Sequence, residues 1–187
     1  MILQQALAQS HEYARRVVKE GDTVIDATCG NGHDTLFLAG LVGNSGKVYA
    51  FDIQNEAICN TRKRLLDNGM FDRCVLIHDG HENLERYVKE PVKLVIFNLG
   101  YRPGGDHSIC TKGETTFKAV QSALNLLEVN GLVILVVYHG GDSGFDERDY
   151  LLEMLPGLNS ESAAVMMTRF INLPNNPPIL VCIEKLK

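Results

Sequence analysis

The sequence lacks the features that define several protein classes. Its five cysteines are widely and irregularly spaced without a C-x-x-C pair, which argues against both a zinc site and a disulfide framework. The longest apolar stretch, residues 132–138, is far shorter than the roughly 20 residues that a membrane helix requires. The amino terminus has no sustained apolar core, so no signal peptide is predicted. We therefore expect a cytoplasmic protein without a membrane span or a bound metal.

An excess of positive charge is also absent. The formal net charge of -5 and the pI near 5.7 argue against indiscriminate nucleic-acid binding, which normally requires a basic surface. A nucleic-acid substrate would have to bind at a local patch of basic residues. Short runs of basic residues, however, usually form a solvent-exposed helix face. The candidate patches are Arg15, Arg16 and Lys19, then Arg62, Lys63 and Arg64, and finally Arg102 and Lys112. We rank the last pair highest because of its position beside the expected active loop.

Composition and length are typical of one globular domain. The chain has 187 residues, of which 45% are hydrophobic and 22% charged, so we expect a single domain over residues 1–187. An amino-terminal helix is expected near residues 2–19. Apolar runs that predict strands lie near residues 23–27, 47–51, 74–77, 93–98 and 132–138 and alternate with helical segments.

The carboxyl-terminal part follows a different pattern. Apolar segments 163–171 and 179–183 have no evident helix between them, and the proline-rich loop 173–178 excludes both helix and central strand there. These segments predict a terminal antiparallel hairpin. The chain as a whole therefore predicts an α/β fold, with a mostly parallel sheet covered by helices on both faces.

The segment Gly30-Asn31-Gly32-His33-Asp34-Thr35 is the most informative part of the chain. It lies between the apolar run 23–27 and a helical pattern, which is the strand-turn-helix context of a Rossmann-type nucleotide site. Glycine there lets the backbone turn tightly and a ligand approach closely. Asp52 follows the run 47–51, where a carboxylate can accept hydrogen bonds from both hydroxyls of an adenosine ribose. The glycine turn and Asp52 together predict a nucleotide-cofactor site.

The charge of the strand ends indicates which cofactor this is. Asp26, Asp52 and Asp79 follow the first three predicted strands and would converge at one crevice. They would repel the pyrophosphate of a dinucleotide and attract the cationic groups of S-adenosylmethionine. In addition, Thr35 stands where the dinucleotide fingerprint has glycine or alanine. We favour S-adenosylmethionine over NAD, although Asp26 taken alone could be a helix cap and Asp52 a turn residue.

The end of the fourth predicted strand is the expected reaction site. Asn98 is the first polar residue after an apolar run, and its amide oxygen can accept a hydrogen bond from the N-H of a substrate amine. Tyr101 can stack on a base or close the pocket. Because an alkyl amine is protonated at neutral pH, a base is needed, and the candidates are Asp106, His107 and His139.

Competing interpretations apply to these residues. Asp106 could serve as a turn cap instead of a base, and a histidine in a loop is more often exposed to solvent than catalytic. The glycine pairs 104–105 and 140–141 give the two loops the freedom to bring the candidate groups together. Cys29 lies within the cofactor turn, but a small residue that packs beneath the turn is the stronger interpretation than a nucleophile.

Three motifs carry a family resemblance that extends over nearly the whole chain. They are Asp-Ala-Thr-Cys-Gly-Asn-Gly-His-Asp-Thr at 26–35, Asn-Leu-Gly-Tyr-x-Pro-Gly-Gly-Asp at 98–106 and Tyr-His-Gly-Gly at 138–141. With Asp52 and residues 78–81, they resemble class I S-adenosylmethionine-dependent methyltransferases. More closely, they resemble a small bacterial family labelled "putative rRNA methylases". Its characterised members methylate the aminomethyl nitrogen of 5-aminomethyl-2-thiouridine at the tRNA wobble position.

The resemblance implies a Rossmann-like, seven-stranded methyltransferase sheet, a homodimer, and transfer without a covalent enzyme intermediate. It implies that Asn31, Gly32 and His33 face the methionine part of the cofactor. It places Asp52 and Gln54 at the ribose and adenine edge, and Asp79 and His81 around the adenine ring. The substrate, an anticodon stem-loop of tRNA, would be bound by residues that include Arg102, Gly104, Gly105, His107 and Lys112. Arg102 departs from the apolar residue expected in relatives and alters the pocket rim.

Two alternatives remain open at this point. The first is a methyltransferase with another acceptor, such as an rRNA base or a small amine, which the acidic net charge leaves possible. The second is a non-catalytic module that binds S-adenosylmethionine, in which Asn98 and Tyr101 would be packing residues.

Overall fold

The computed structural model describes residues 2–100, 111–139 and 141–187, with the side chains of 141–144 left out of that description. The helices are α1 (Ala6–Val17), α2 (His33–Val42), α3 (Asn55–Asp67), α4 (Leu84–Tyr87), α5 (Gly113–Leu126) and α6 (Gly141–Met154). The strands are β1 (Thr23–Asp26), β2 (Lys47–Phe51), β3 (Cys74–Ile77), β4 (Val92–Leu99), β5 (Leu127–Val137), β6 (Ala163–Thr168) and β7 (Ile179–Lys185).

The strands form one seven-stranded sheet in the order β3-β2-β1-β4-β5-β7-β6. The pairs from β3 to β5 are parallel, whereas β7 runs antiparallel to both β5 and β6. This confirms the predicted fold class and the antiparallel hairpin at the carboxyl terminus. In the parts of the chain that the structure describes, no helix has both the length and the apolar character needed to cross a bilayer.

Alternate residues of the central strands enter two separate cores. One face of the sheet buries Ile25, Phe97 and Leu135 in a cluster with Val120 of α5 and Leu151 of α6. On the opposite face, the neighbouring strand residues join a cluster with α1 and α2. Because strand side chains alternate between faces, a run of consecutive apolar residues is what a strand covered on both faces requires. The carboxyl ends of β1 to β4 are thereby held side by side at one edge.

The observed boundaries differ from the predicted ones where exposure hides the pattern. β5 begins at Leu127, five residues before the predicted start. The prediction missed this part because residues 128–130 are exposed, with one isolated apolar residue between two polar ones, and show no apolar run. Asn130 there has a φ of 60°, and the register with β4 shifts between Val92 and Leu94. β6 ends at Thr168, and α1 covers only the central part of the predicted helix.

Candidate active site

The turn between β1 and α2 is built around a buried carboxyl group. Asp26 is 1% exposed, and its oxygens accept hydrogen bonds from the Thr28 N-H (3.2 Å) and the Thr35 hydroxyl (2.6 Å). Burial, followed by the repulsion of the nearby Asp34, raises the pKa of Asp26 to about 7. The structure thus places Asp26 beneath the turn, where it ties the end of β1 to the first turn of α2.

Gly32 is required by a close contact as well as by its backbone conformation. Its φ is 77°, and a Cβ atom at this position would lie 2.8 Å from the Cα of Thr61 on α3. The Thr61 hydroxyl also donates to the Gly30 carbonyl (3.2 Å). The glycines therefore allow α3 to pack directly against the turn.

Asp52, directly after β2, fastens the same turn from the other side. One carboxylate oxygen accepts from the Gly30 N-H and the other from the Gln54 N-H, both at 2.9 Å. The side chain is half-buried, so its remaining lone pairs face the crevice edge. Its neighbour Ile53 is 56% exposed. Sequence reasoning did not predict Ile53 as a site residue. The signal that could have identified it is an apolar residue directly after Asp52.

Asn31 and His33 make their contacts with α3. Arg64 donates from Nε to the Asn31 carbonyl (2.7 Å) and from its guanidinium to Nε2 of His33 (3.0 Å), while the Asn60 amide donates to Oδ1 of Asn31 (3.2 Å). These residues line a cleft of about 370 Å³ between α2 and α3. The contact with the methionine part of the cofactor expected for Asn31 and His33 stays a prediction.

The segment after β3 is held together by hydrogen bonds to Asp79. Asp79 accepts hydrogen bonds from the Tyr87 hydroxyl (2.8 Å), the Gly80 N-H (2.7 Å) and the Asn83 amide (3.0 Å). The hydrogen bond from Tyr87 contributes most to lowering the pKa of Asp79. His81 is 8% exposed, with its ring centroid 5.5 Å from that of Phe97 in an edge-on arrangement. Burial lowers the pKa of His81, so the ring is neutral at pH 7.

Asn98 lies near the end of β4 with one polar atom left over. Its backbone N-H donates to the Thr28 hydroxyl (2.7 Å), and its side-chain Nδ2 donates to a carboxylate oxygen of Asp34. The other oxygen of Asp34 accepts from Nε2 of His11 on α1 at 2.7 Å. Asn98 Oδ1 is buried and has no hydrogen-bond partner in the described part of the chain. The position of Asn98 was predictable, whereas the convergence of Asp34 and His11 on it was not.

Tyr138 directly follows β5 and borders the same region, and His139 is the next residue. A Cβ atom at Gly100 would lie 3.3 Å from the Cβ of Tyr138, and the Tyr138 side chain is 42% exposed. Both ring nitrogens of His139 are buried, and neither forms a hydrogen bond of good geometry among the described residues, although the Pro177 backbone lies close enough to oppose the lowering of its pKa. Burial lowers the pKa of His139, and the Arg148 guanidinium lowers it further. His139 therefore presents a neutral imidazole, which can accept a proton.

A buried glutamate on α6 connects the two sides of the 101–110 segment. Glu147 is 4% exposed and accepts from the hydroxyls of Thr111 (2.5 Å) and Thr116 (2.7 Å). The Thr111 hydroxyl in turn accepts from the Gly100 N-H at 3.0 Å. Burial raises the pKa of Glu147. No local sequence signal pointed to Glu147, because the contact joins elements more than 30 residues apart.

Six predicted residues lie outside the described ranges, namely Tyr101, Arg102, Gly104, Gly105, Asp106 and His107. Lys112, the remaining predicted substrate residue, is exposed directly before α5. Cys29 is buried, and burial raises the pKa of its thiol, which agrees with packing beneath the turn rather than with a nucleophile.

The basic residues of α3 are engaged within the chain. Arg62 lies over the ring of Phe71, and Lys63 pairs with Asp67 at 2.7 Å. Arg64 donates to Asn31 and His33 at the turn between β1 and α2. On α1, Arg15 lies over the ring of Phe37, and Lys19, two residues after α1, is exposed. Among these runs, the α3 patch is thus the one most committed to internal contacts.

Comparison with known proteins gives closely matching relatives over nearly the full chain. The family model described as "Putative rRNA methylase" matches residues 48–184. A chloroplastic protein of Arabidopsis thaliana named tRNA (mnm(5)s(2)U34)-methyltransferase is 37% identical over 192 residues, which cover 97% of this chain and 70% of the relative.

Two crystal structures share the whole fold. A "putative rRNA-methylase" from Clostridium thermocellum is 54% identical with a TM-score of 0.97, and the match covers 98% of this chain and 99% of that one. A "putative methyltransferase" from Streptococcus mutans in complex with SAH is 38% identical with a TM-score of 0.90, over the same shares of the two chains.

We expect Asp26→Asn to change how stability depends on pH. A carboxyl group whose pKa is 3.8 when unfolded and about 7 when folded binds its proton more tightly in the fold. Its contribution is complete below the unfolded value and is lost as the pH rises toward 7. In urea titrations, the free energy of unfolding of the wild type relative to Asp26→Asn should fall between these pH values. The expected slope is on the order of 1 kcal/mol per pH unit.

Asp67→Asn, at an exposed carboxylate of α3, serves as the matched control and should show no such fall. If the difference in free energy of unfolding between wild type and Asp26→Asn stayed constant from pH 4 to pH 7, it would contradict the raised pKa of Asp26.

Proposed function

The chain belongs to the family described as "Putative rRNA methylase" and is an S-adenosylmethionine-dependent methyltransferase. On this premise we propose that it methylates the aminomethyl nitrogen of 5-aminomethyl-2-thiouridine at the wobble position of tRNA. The named activity of the Arabidopsis relative supports this choice of substrate. Within the structure, the observation that carries the proposal is the buried Oδ1 of Asn98 near the end of β4, which has no hydrogen-bond partner among the described residues.

The residues around the crevice fit S-adenosylmethionine. Asp52 has lone pairs left for the ribose hydroxyls, and the exposed Ile53 offers an apolar surface for an adenine ring. Beside them, Gln54, Asp79 and His81 would border the adenine. The backbone of the 30–33 turn, including Gly32, would lie along the methionine part, with Asn31 and His33 at its outer side. Asp26 would contribute by holding the turn. When bound, the cofactor supplies a methyl group made electrophilic by its sulfonium charge.

Asn98 orients the acceptor amine in this proposal. Its Oδ1 can only accept a hydrogen bond, so it favours an acceptor group that carries a hydrogen, and an amine that donates one N-H to it keeps its lone pair free on the opposite side. Holding the nitrogen in one direction converts an encounter into an aligned reaction. A ring nitrogen without hydrogen would gain nothing from this oxygen. An exocyclic or aminomethyl nitrogen is therefore the favoured class of acceptor.

His139 is the described residue best suited to remove the amine proton. Its neutral ring has no hydrogen bond of good geometry in the described ranges, and it is the second residue after β5, the strand beside Asn98. Asp106 and His107 are further candidates for this proton, and Tyr101 for stacking on the base. For the RNA, we propose contacts from Arg102, Gly104, Gly105 and Lys112, together with Lys19, which is exposed two residues after α1.

The larger assembly also remains a proposal. A tRNA anticodon stem-loop as partner, a homodimer and a cytoplasmic location are predictions. Apolar exposure along the edge strand β6 supports self-association, because Val165, Met166 and Met167 are each at least 40% exposed.

A second acceptor class has specific support. The name of the matching family points to rRNA, and the net charge of -5 suits a small amine better than a large polyanion. Supplying labelled S-adenosylmethionine to separate tRNA, rRNA and small-molecule pools distinguishes these acceptors, because only one pool should take up label with the purified protein.

Deleting the gene should remove one methylated nucleoside from tRNA. The 5-methylaminomethyl-2-thiouridine signal should disappear, and the unmethylated aminomethyl nucleoside should accumulate in its place. Mass spectrometry of digested tRNA measures both, and a plasmid that carries the intact gene is the control. Unchanged levels of both nucleosides would reject the proposed substrate.

Asp52→Ala should weaken binding of S-adenosylmethionine by about 1 to 3 kcal/mol, because it removes a charged hydrogen-bond acceptor. Isothermal titration calorimetry gives this value directly. Glu56→Ala, an exposed acid on the first turn of α3, is the matched control. Equal affinity in Asp52→Ala and wild type would exclude Asp52 from the cofactor site.

His139→Ala should lower kcat about 100-fold or more if the ring is the base, a range typical for removal of a general base. The affinity for S-adenosylmethionine should stay within about twofold, since the ring acts on the acceptor. Steady-state kinetics at pH 7 and pH 9 test this, because the loss should shrink at pH 9, where more of the amine is already neutral. A variant that retains wild-type kcat at pH 7 would assign the proton to another group.

A further inference from the structure

We infer that Asp34 and His11 are positioning residues that fix the side-chain amide of Asn98 in the one orientation that leaves its oxygen open to the acceptor amine. The inference deepens the proposed function and rests on it for the identity of the acceptor. It assigns a role to Asp34 of α2, which lies in the 26–35 motif but received no role there, and to His11 of the amino-terminal helix α1.

The chemistry of Asp34 decides how the Asn98 amide is turned. An ionised carboxylate only accepts hydrogen bonds, so the atom of Asn98 that faces Asp34 must be the donor Nδ2. Rotating the amide by half a turn would place its oxygen against the carboxylate and lose the hydrogen bond. The oxygen is thus directed away from Asp34, and it is this atom that is buried without a partner in the described part of the chain.

His11 holds Asp34 in place. Its Nε2 donates to the second carboxylate oxygen at 2.7 Å, and the side chains of His11 and Asp34 are only 24% and 12% exposed. The imidazole is stacked on Phe37 of α2, with ring centroids 4.0 Å apart and planes 18° from parallel. The contact between α1 and α2 therefore restrains both the position and the rotation of the carboxylate.

The backbone of Asn98 is fixed independently. Its N-H donates to the Thr28 hydroxyl at 2.7 Å, and β4 is paired with β1 and β5 on its two sides. The rotation of the side-chain amide is the degree of freedom that these contacts leave. Since, among the described residues, the contact with Asp34 is what distinguishes the two ends of the amide, its loss should affect orientation more than folding.

The arrangement makes Asn98→Asp a disruptive change even though a carboxylate is a good hydrogen-bond acceptor. This substitution would place two carboxylates against each other next to the buried Asp26, and they would repel or share a proton. Exchanging the two residues restores the pair with donor and acceptor reversed. In Asn98→Asp/Asp34→Asn, the amide introduced on α2 can donate to the carboxylate introduced on β4 and still accept from His11.

The test compares the wild type, Asn98→Asp, Asp34→Asn and the double exchange. The substrate is tRNA isolated from the deletion strain, and labelled S-adenosylmethionine is the donor. We expect kcat to fall at least about 100-fold in Asn98→Asp and only a few-fold in Asp34→Asn, where the introduced amide oxygen still accepts from Asn98. The double exchange should recover at least about 10-fold over Asn98→Asp. The affinity for S-adenosylmethionine should change by less than about twofold throughout.

A merely structural role predicts a different pattern. If Asn98→Asp were as active as the wild type, or if the exchange recovered nothing over Asn98→Asp, the inference would be overturned. His11→Phe, which keeps the stacking on Phe37 but removes the hydrogen bond, should lower kcat by about 10-fold without lowering the melting temperature in proportion. An unchanged kcat in His11→Phe would remove His11 from the arrangement.

A second readout needs no substrate and separates this inference from the proposed function. The side-chain NH2 resonances of Asn98, identified by their loss in Asn98→Ala, should exchange slowly with water in the wild type and fast in Asp34→Ala. Asp67→Ala, which breaks an exposed ion pair with Lys63, is the matched control and should leave them unchanged. If the wild type fails to methylate tRNA, the proposed substrate is wrong, and the exchange rates still decide whether Asp34 holds the amide. Equal exchange in wild type and Asp34→Ala would overturn it.

Discussion

The site depends on the hydrogen bonds by which buried and half-buried carboxylates tie together the ends of parallel strands. Parallel strands bring their carboxyl ends to one edge, but they do not by themselves fix the loops that leave it. Asp26 joins β1 to α2, Asp52 joins β2 to the glycine turn, and Asp34 joins α2 to β4. Each of these side chains accepts hydrogen bonds from the N-H and O-H groups around it and thereby aligns them. These contacts connect the turn, α2 and β4 at the edge of the sheet where the crevice lies.

These carboxylates differ in what they leave for a ligand. Asp26 has both oxygens bonded within its own turn and a pKa near neutrality, so it contributes less negative charge to the crevice than its position after a strand suggests. Asp79 is similarly committed to the segment that follows β3. Asn98 is the opposite case, because its oxygen is buried and unpaired within the described ranges. An acceptor left open in an otherwise satisfied network indicates a place where a substrate donor completes it.

The fold was predictable because its signals are local. Five apolar runs, the glycine turn and the paired terminal segments lie in consecutive residues, and the alternation of strands and helices leaves few possible topologies. Asp52 and Asn98 were predictable for the same reason, since each directly follows or ends an apolar run. Boundaries failed where a strand is exposed, as in residues 128–130, because exposed strand residues carry no apolar pattern.

The parts that could not be predicted are contacts between distant segments. His11 contacts Asp34, which lies 23 residues later in the sequence, and Asp34 contacts Asn98, 64 residues later. Neither separation corresponds to a helix or strand period, so the sequence alone does not reveal these contacts. The most direct test of the whole account is a crystal structure with SAH and the 5-aminomethyl-2-thiouridine nucleoside. The account predicts Asn98 Oδ1 within about 3.2 Å of the amine nitrogen, which would face the cofactor sulfur. An amine bound elsewhere, with Asn98 Oδ1 directed away from it, would contradict the account.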